Sequence, residues 1–412
     1  MGLLILTFIF SFVASASIQV DEDYLKAQIE STPEIKSLMD RLTSTEKLKG
    51  SLSRSFLPKI NLSYGRERFT TGPYHSLNQP FGGIEAEVNV FNSGRDALEN
   101  ERRNKEARLS QVDATITKAK VLSEGRQALA QYAFLKEIQL ILEEALRMNE
   151  KNFSGARKRI NAGLSTKTDL IDFKQQKLAL EQEYETLKYE QGVVSRLLSV
   201  LLGLHPDEAI HVVSKNIHPE HGPLFESTTD FSNSNLLQKA ALHSEIARIE
   251  NKTASRWWAP KLDIYGYALR FTQKEREYSD IGQRNDVTFG FKFTLPLFDG
   301  GEGIAQSAAS AAQARSREHL LRKQSLMLEN ETGNATRKLE LAHKLIHGAE
   351  ESVKLMSEYR EGIMSEYSKG IKNSPDVLQA NQRWIEAKTK FAEVKRDYQI
   401  AKTEALYLIG LK

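Results

Sequence analysis

Cysteine is absent from all 412 residues. That excludes disulfide frameworks, thiolate metal sites, a cysteine nucleophile and a lipid anchor on an N-terminal Cys. Proline is scarce, with 10 residues, and the stretches between prolines are rich in Ala, Leu and charged side chains, a composition of long helices. Neither charge sign is in excess: 57 Lys and Arg stand against 54 Asp and Glu, for a net charge of +3. A nucleic-acid binder would ordinarily carry a clear basic surplus or patch, so that class is set aside. Hydrophobic residues make up 40% and charged residues 27%, enough of each to bury a core and stay ordered.

Long apolar runs are also lacking. Residues 3–13 (LLILTFIFSFV) are apolar but fall short of the ~20 residues a spanning helix needs. Ala14-Ser15-Ala16 follows with an A-x-A pattern, and 1–16 reads as a secretory signal peptide, although no Lys or Arg precedes the apolar stretch. The rest of the chain is therefore soluble or crosses a membrane as β-strands, which need only ~9–11 alternating residues each.

The chain contains two copies of one unit. Residues 83–204 match 290–411 at a constant offset of 207: Gly83 with Gly290, Phe91 with Phe298, Gly94 with Gly301, Gly155 with Gly362, Gly163 with Gly370, Asp169 with Asp376 and Gly203 with Gly410. Upstream, Ser55–Ile60 resembles Trp257–Leu262 at an offset of 202. The organisation expected is an N-terminal helical segment at 17–54, a first repeat at 55–204, an irregular insert at 205–250 and a second repeat at 251–412.

Each repeat opens with a strand after proline, expected at 58–65 and 260–271. A polar loop follows (65–82 in the first copy), then a second strand at 83–92 or 286–298. Ile84, Ala86, Val88 and Val90 alternate with Glu85, Glu87 and Asn89, and Val287, Phe289, Phe291, Phe293 and Leu295 alternate with Thr288, Gly290, Lys292 and Thr294. This period of two gives one apolar and one wet face. The wet face would meet bulk solvent in a soluble sandwich, or a lumen in a barrel.

A helical hairpin follows each strand pair, at 94–204 and 301–411. Asn92-Ser93-Gly94 and Asp299-Gly300-Gly301 supply helix-start chemistry. The 67 residues from Arg95 to Asn161 contain no proline and would measure about 100 Å as one helix. Turns are expected near 163 and near 370, where Gly163 and Gly370 provide left-handed positions. In the second copy the returning helix carries a seam with spacings of three and four: Val377, Ala380, Trp384, Ala387, Phe391, Val394, Tyr398, Ala401, Ala405 and Leu408. That is coiled-coil packing. The first copy shows the same seam with polar breaks at Lys177 and Gln191.

No nucleophile elbow, phosphate-binding loop or H-E-x-x-H zinc motif occurs. His343 and His347 lie four apart on a helix without a third ligand, and His205, His211, His218 and His221 crowd the insert without Cys or a spaced carboxylate. The first pair reads as solvated or lumen-facing, the insert histidines are weak evidence for a metal site and leave that question open, and no metal, cofactor or catalytic residue is assigned. Asp169, Asp172 and Asp376 follow helix turns, where acidic residues favour a helix N-terminus.

The duplicated proline–strand–loop–strand–Phe-x-x-Gly–long-helix unit resembles the TolC-like outer-membrane efflux protein family over about 20–412. Tyr367-Ser-Lys-Gly370-Ile-Lys-Asn-Ser-Pro375-Asp-Val-Leu378 is similar to that family's hairpin tip, as are Gly163-Leu164 and Asp169-Leu-Ile-Asp172 in the first copy. Thr32-Pro33 is similar to the family's Asn-Pro near the mature N-terminus.

The resemblance implies a mixed α/β membrane protein. Three copies would share a 12-stranded β-barrel continuous with a periplasmic α-helical barrel. It implies an outer-membrane exit duct of a tripartite efflux or type I secretion system, not an enzyme, opened by a periplasmic adaptor and served by an inner-membrane transporter. It implies a periplasmic entrance ringed by Asp169, Asp172 and Asp376, although Gln379 replaces a second carboxylate in the second copy. It implies adaptor contacts at Gly163, Leu164, Gly370 and Ile371. Lipid would meet Ile84, Val88, Phe289, Phe291 and Phe293, and Phe56, Phe91, Trp257, Trp258 and Phe298 would form an interfacial girdle. The alternative is a periplasmic coiled-coil adaptor or structural protein with a soluble β-domain.

Overall fold

The computed structural model describes residues 18–71, 75–161, 163, 167–208, 210–212, 234–271 and 284–410. The leader expected over 1–16 lies outside the described residues. In chain order the elements are β1 (Ile18–Val20), α1 (Glu22–Ile29), α2 (Pro33–Lys47), α3 (Ser51–Ser55), β2 (Lys59–Thr71), β3 (His75–Phe91), α4 (Arg95–Asn161), α5 (Lys167–Leu201), β4 (Ile210–Val212), α6 (Asn235–Ala254), β5 (Lys261–Phe271), β6 (Arg284–Thr294), α7 (Glu302–Ser368) and α8 (Ser374–Ile409). The chain forms two compact units, one of Leu38–Ala114 and Leu236–Leu326, the other of the described residues of Met1–Ser37, Thr115–Asn235 and Met327–Lys412. Among the described residues no helix is long and apolar enough to cross a membrane.

In the unit of Leu38–Ala114 and Leu236–Leu326, four antiparallel strands make one sheet in the order β2-β3-β5-β6. Its registers line up apolar rows across all four strands. Leu62 faces Ile84, Ile84 faces Ala268 and Ala268 faces Val287, while the next row is Ile60, Ala86, Gly266 and Phe289. Polar and aromatic residues take the other face, as in the row Asn61, Glu85, Tyr267 and Thr288. The alternation within each strand thus adds up to two chemically distinct faces.

Four segments differ from the sequence reading. The segment 65–82, expected as a loop, is largely ladder, paired from Lys59 opposite Glu87 out to Thr71 opposite His75. Glycine and proline at 65, 80, 82 and 83 erase the side-chain alternation, but main-chain bonds carry the hairpin through them. Strand β6 ends at Thr294, short of the expected 298. Pro296 follows, and its missing N–H cannot continue a ladder. The insert at 205–250 is not irregular throughout: it contains β4, which pairs in parallel with β1, and most of α6, which runs on to Ala254. At the offset of 202, α6 begins opposite the Pro33 that opens α2, so the repeat includes a leading helix that is broken in the first copy and continuous in the second. The segment at 17–54 likewise contains a strand, β1, besides its helices.

Helices α4 and α7 each run for 67 residues. In the other unit, α4, α5, α7 and α8 pack through apolar clusters. One joins Leu135, Ile138, Leu142, Leu180, Leu187 and Trp384, and a second joins Ala156, Phe173, Ile363, Tyr367, Val377 and Ala380. The seam of α8 is the core of both, and Val377, Ala380, Trp384, Tyr398 and Ala401 are at most 1% exposed. Polar residues interrupt the seam of α5 at two places. Lys177 extends outward to Glu150 at 3.1 Å, and Gln191 donates to the Leu135 carbonyl at 3.2 Å and to Gln139 at 3.1 Å.

Candidate functional site

The sheet exposes its apolar face. Phe289, Phe291 and Phe293 are 81%, 75% and 62% exposed, with Leu62 and Tyr64 higher still. Ile84 is exposed and Val88 half-buried on the same face. An exposed, contiguous apolar face of this size in a soluble chain would be an aggregation or docking surface. The outer edges of β2 and β6 have no strand partner among the described residues, which leaves two rows of backbone donors and acceptors open.

Local hydrogen bonds hold each strand-to-helix junction. After β3, Ser93 takes a positive φ of 50° and Gly94 one of 72°. Arg95 donates to the carbonyls of Arg256 at 2.9 Å and Ala259 at 2.6 Å, while Arg256 donates to the Ser93 carbonyl at 2.9 Å. After β6, Asp299 accepts from the amides of Gly301 at 3.1 Å and Gly303 at 2.7 Å, an N-terminal cap for α7. Of the aromatics expected in a girdle, Phe56, Phe91, Trp258 and Phe298 are exposed. Trp257 is half-buried and packs on Gly303, where an added Cβ would come within 2.4 Å of its ring.

The hairpin turns bring together two of the three aspartates. Gly163 has φ 73° and Gly370 φ 82°, the left-handed geometry expected of both turns. Leu164 lies outside the described residues, and Ile371 is exposed. Asn373 opens α8 with a reciprocal capping box: its side chain accepts from the Asp376 amide, and Asp376 accepts from the Asn373 amide at 3.2 Å. The next residue, Ser374, is fully buried and donates to Asp169 Oδ1 at 2.7 Å and Asp172 Oδ2 at 3.1 Å, both in α5. One hydroxyl proton thus serves two carboxylates. Asp169 and Asp172 therefore tie the first two turns of α5 to the first turn of α8, while Asp376 is engaged in its own cap.

Arg159 of α4 completes this cluster. Its guanidinium lies 4.4 Å from the centroid of the Tyr367 ring and also donates to the Tyr367 carbonyl. Burial pushes the Tyr367 hydroxyl above its usual range; Arg159 opposes that shift and Asp169 adds to it. The sequence reading missed Ser374, Arg159 and Tyr367 as tip contacts. Ser374-Pro375-Asp376 carried a signal, but one for helix initiation. Arg159 carried none.

Among the described residues no group of His, Asp or Glu is arranged to hold a metal ion. The rings of His343 and His347 meet edge to face at 5.7 Å. His218 and His221 lie outside the described residues.

Two β-hairpins in one sheet, each leading into a helical hairpin with a 67-residue first arm, define the fold of the outer-membrane efflux channels. Residues 231–410 match the family described as outer membrane efflux protein. The chain resembles that family in sequence over its second repeat, and in fold over nearly its whole length. VceC from Vibrio cholerae superposes with a TM-score of 0.80 at 15% identity, over 94% of this chain and 96% of that one. CmeC from Campylobacter jejuni gives 0.81 at 15% identity, over 94% and 85%. The open state of MtrE from Neisseria gonorrhoeae gives 0.76 at 11% identity, over 95% and 88%. No curated protein sequence matches the chain.

Proposed function

We propose that the protein is an outer-membrane exit duct for efflux, a passive conduit rather than an enzyme. The observation that carries this reading is the sheet: one face apolar and exposed on all four strands, the other polar, and both edges open. A bilayer tolerates strands only in a closed barrel, so other copies must supply the closure. Three copies with four strands each would give a 12-stranded barrel, in keeping with the family resemblance. The helical hairpins then stand in the periplasm. Their tips, including Gly163, Leu164, Gly370 and Ile371, would receive an adaptor that binds the open state more tightly than the closed one, with an inner-membrane transporter supplying the energy.

At the tip, Asp169 and Asp172 lie against Ser374, and Asp376 starts α8. Three copies of these carboxylates converging on one axis would favour cations and repel one another. Planar-bilayer conductance tests the entrance. Asp169→Asn, Asp172→Asn and Asp376→Asn together should weaken block by multivalent cations and lower cation selectivity. Unchanged block and selectivity reject the acidic entrance. Fractionation tests the location: the duct stays with outer membranes until detergent is added. Release by a salt wash would favour the soluble adaptor instead.

A further inference from the structure

The internal repeat makes the sheet a template for its own open edges. Within the chain, β3 of the first repeat pairs with β5 of the second, with Val88 opposite Ile264, Glu87 opposite Tyr265 and Glu85 opposite Tyr267. The alternation of β3 recurs in β6 at an offset of 207, and residues 257–264, which lead into and open β5, resemble 55–62, which lead into and open β2, at an offset of 202. Those two recurrences, β6 and β2, are the sheet's edges. We infer that β6 of one copy, extended by one residue, pairs antiparallel with β2 of a second copy in the register the repeat transfers: Leu295 opposite Leu62, Thr294 opposite Ser63 and Phe293 opposite Tyr64. This rests on the reading of the sheet as part of a closed wall and adds the residue pairing that closes it.

Three features support this register. A slip of one residue would turn the apolar set of β2 toward the polar face of β6, so it is excluded by the alternation itself. A slip of two keeps the faces matched, and what opposes it is the junction beyond the strands. Inside the chain, Arg95 grips the carbonyls of Arg256 and Ala259, and Arg256 lies over Gly94, where an added Cβ would come within 2.7 Å of its guanidinium.

The repeat counterparts of Arg95 and Arg256 are Glu302 and Arg54. Both are exposed and of opposite charge, and the transferred register places one from each copy at the same joint. Arg54 is already held at the end of α2 by the carbonyls of Lys47, Leu48 and Lys49 at 2.6–3.0 Å, which fixes its charge near the strand start. At Gly300 and Gly301, counterparts of Ser93 and Gly94, an added Cβ would meet nothing within 4 Å among the described residues, whereas at Gly94 it meets Arg256. Finally, the β3–β5 ladder shifts by one residue between Asn89 and Phe91. The counterpart of Asn89 is Pro296, whose missing N–H suits a break in the ladder.

The cysteine-free chain allows a direct test. Directly opposed residues of an antiparallel pair have Cα atoms about 4.5–5.5 Å apart, within the 4.4–6.8 Å a disulfide spans, whereas diagonal neighbours lie at roughly 7–8 Å. Ser63→Cys combined with Thr294→Cys should give covalently linked copies, up to the closed ring, after mild oxidation of the detergent-purified protein. Ser63→Cys with Lys292→Cys or with Pro296→Cys should stay unlinked. Leu62→Cys with Leu295→Cys reads the same register on the apolar face and serves if the first pair does not assemble. Linkage confined to the shifted pairs, or absent from both matched pairs in a protein that sediments as a ring, overturns the register alone. A monomer in sedimentation removes the closed wall and the register with it.

Discussion

The tight positions of this chain divide into those held by backbone geometry and those held by a neighbouring atom. At Gly163 nothing among the described residues lies within 4 Å of an added Cβ, yet its φ of 73° is left-handed. Gly163→Ala should therefore lower stability by about 1–2 kcal/mol through backbone strain alone, and Gly370→Ala by a similar amount. Asn at either position should cost less than Ala, because its side chain tolerates that region. Gly303 is the opposite case. It sits inside α7, and an added Cβ meets the Trp257 ring at 2.4 Å. Gly303→Ala should displace Trp257, visible as a change in tryptophan fluorescence that neither tip variant produces. Ser374 is a third kind of position, with a buried hydroxyl whose proton lies between two carboxylates. Ser374→Ala should cost about 1.5–3 kcal/mol, the range for a hydrogen bond to a charged group, read from the thermal midpoint.

At the scale of elements, α8 is the best-buried helix and α5 the more polar partner. Trp384 of α8 is 1% exposed, with the Arg360 guanidinium and the Lys388 ammonium each 4.2 Å from its ring. Trp384→Ala should cost about 3–5 kcal/mol, from the cavity and the lost cation contacts together. Trp384→Phe should retain more than half of that stability, and chemical denaturation distinguishes the two. Equal losses for Ala and Phe would mean that the indole is not the packing unit. In α5 the polar breaks in the seam are consistent with stable packing, since Lys177 carries its charge out to Glu150 along an apolar stem and Gln191 finds a main-chain carbonyl.

For the whole molecule, the exposed apolar face sets the solvent it requires. Phe291 lies on that face in the edge strand β6, opposite Ile264. In a bilayer, Phe291→Arg should cost about 2–4 kcal/mol if the residue sits near the midplane, and less near an interface. The expected result is a sharp fall in assembled protein recovered from outer membranes. Normal recovery would contradict a lipid-facing position. Lys292→Arg, one residue away on the other face, serves as the control and should leave recovery unchanged.

The amino-acid sequence by itself determined the duplication, the extent of the long helices, the glycine turns and the seam of α8. Each of these is written in short-range periodicity or in a residue with a special backbone preference. Arg95–Asn161 could be read as one helix because no proline interrupts it, and Gly163 and Gly370 as turns because few other residues adopt positive φ. The tertiary structure alone decided the features that depend on pairing between distant main-chain segments or on single side chains. The ladder through 65–82 hides behind Gly and Pro, which carry no alternation. The pairing of β1 with β4 involves strands of three residues each, too short for any period. The leading helix of the repeat is broken by Gly50 in one copy and continuous in the other, so the two do not look alike as sequences. Ser374 meets Asp169 and Asp172 from 205 and 202 positions away, a meeting fixed by how two helical hairpins pack and by nothing local to any of the three residues.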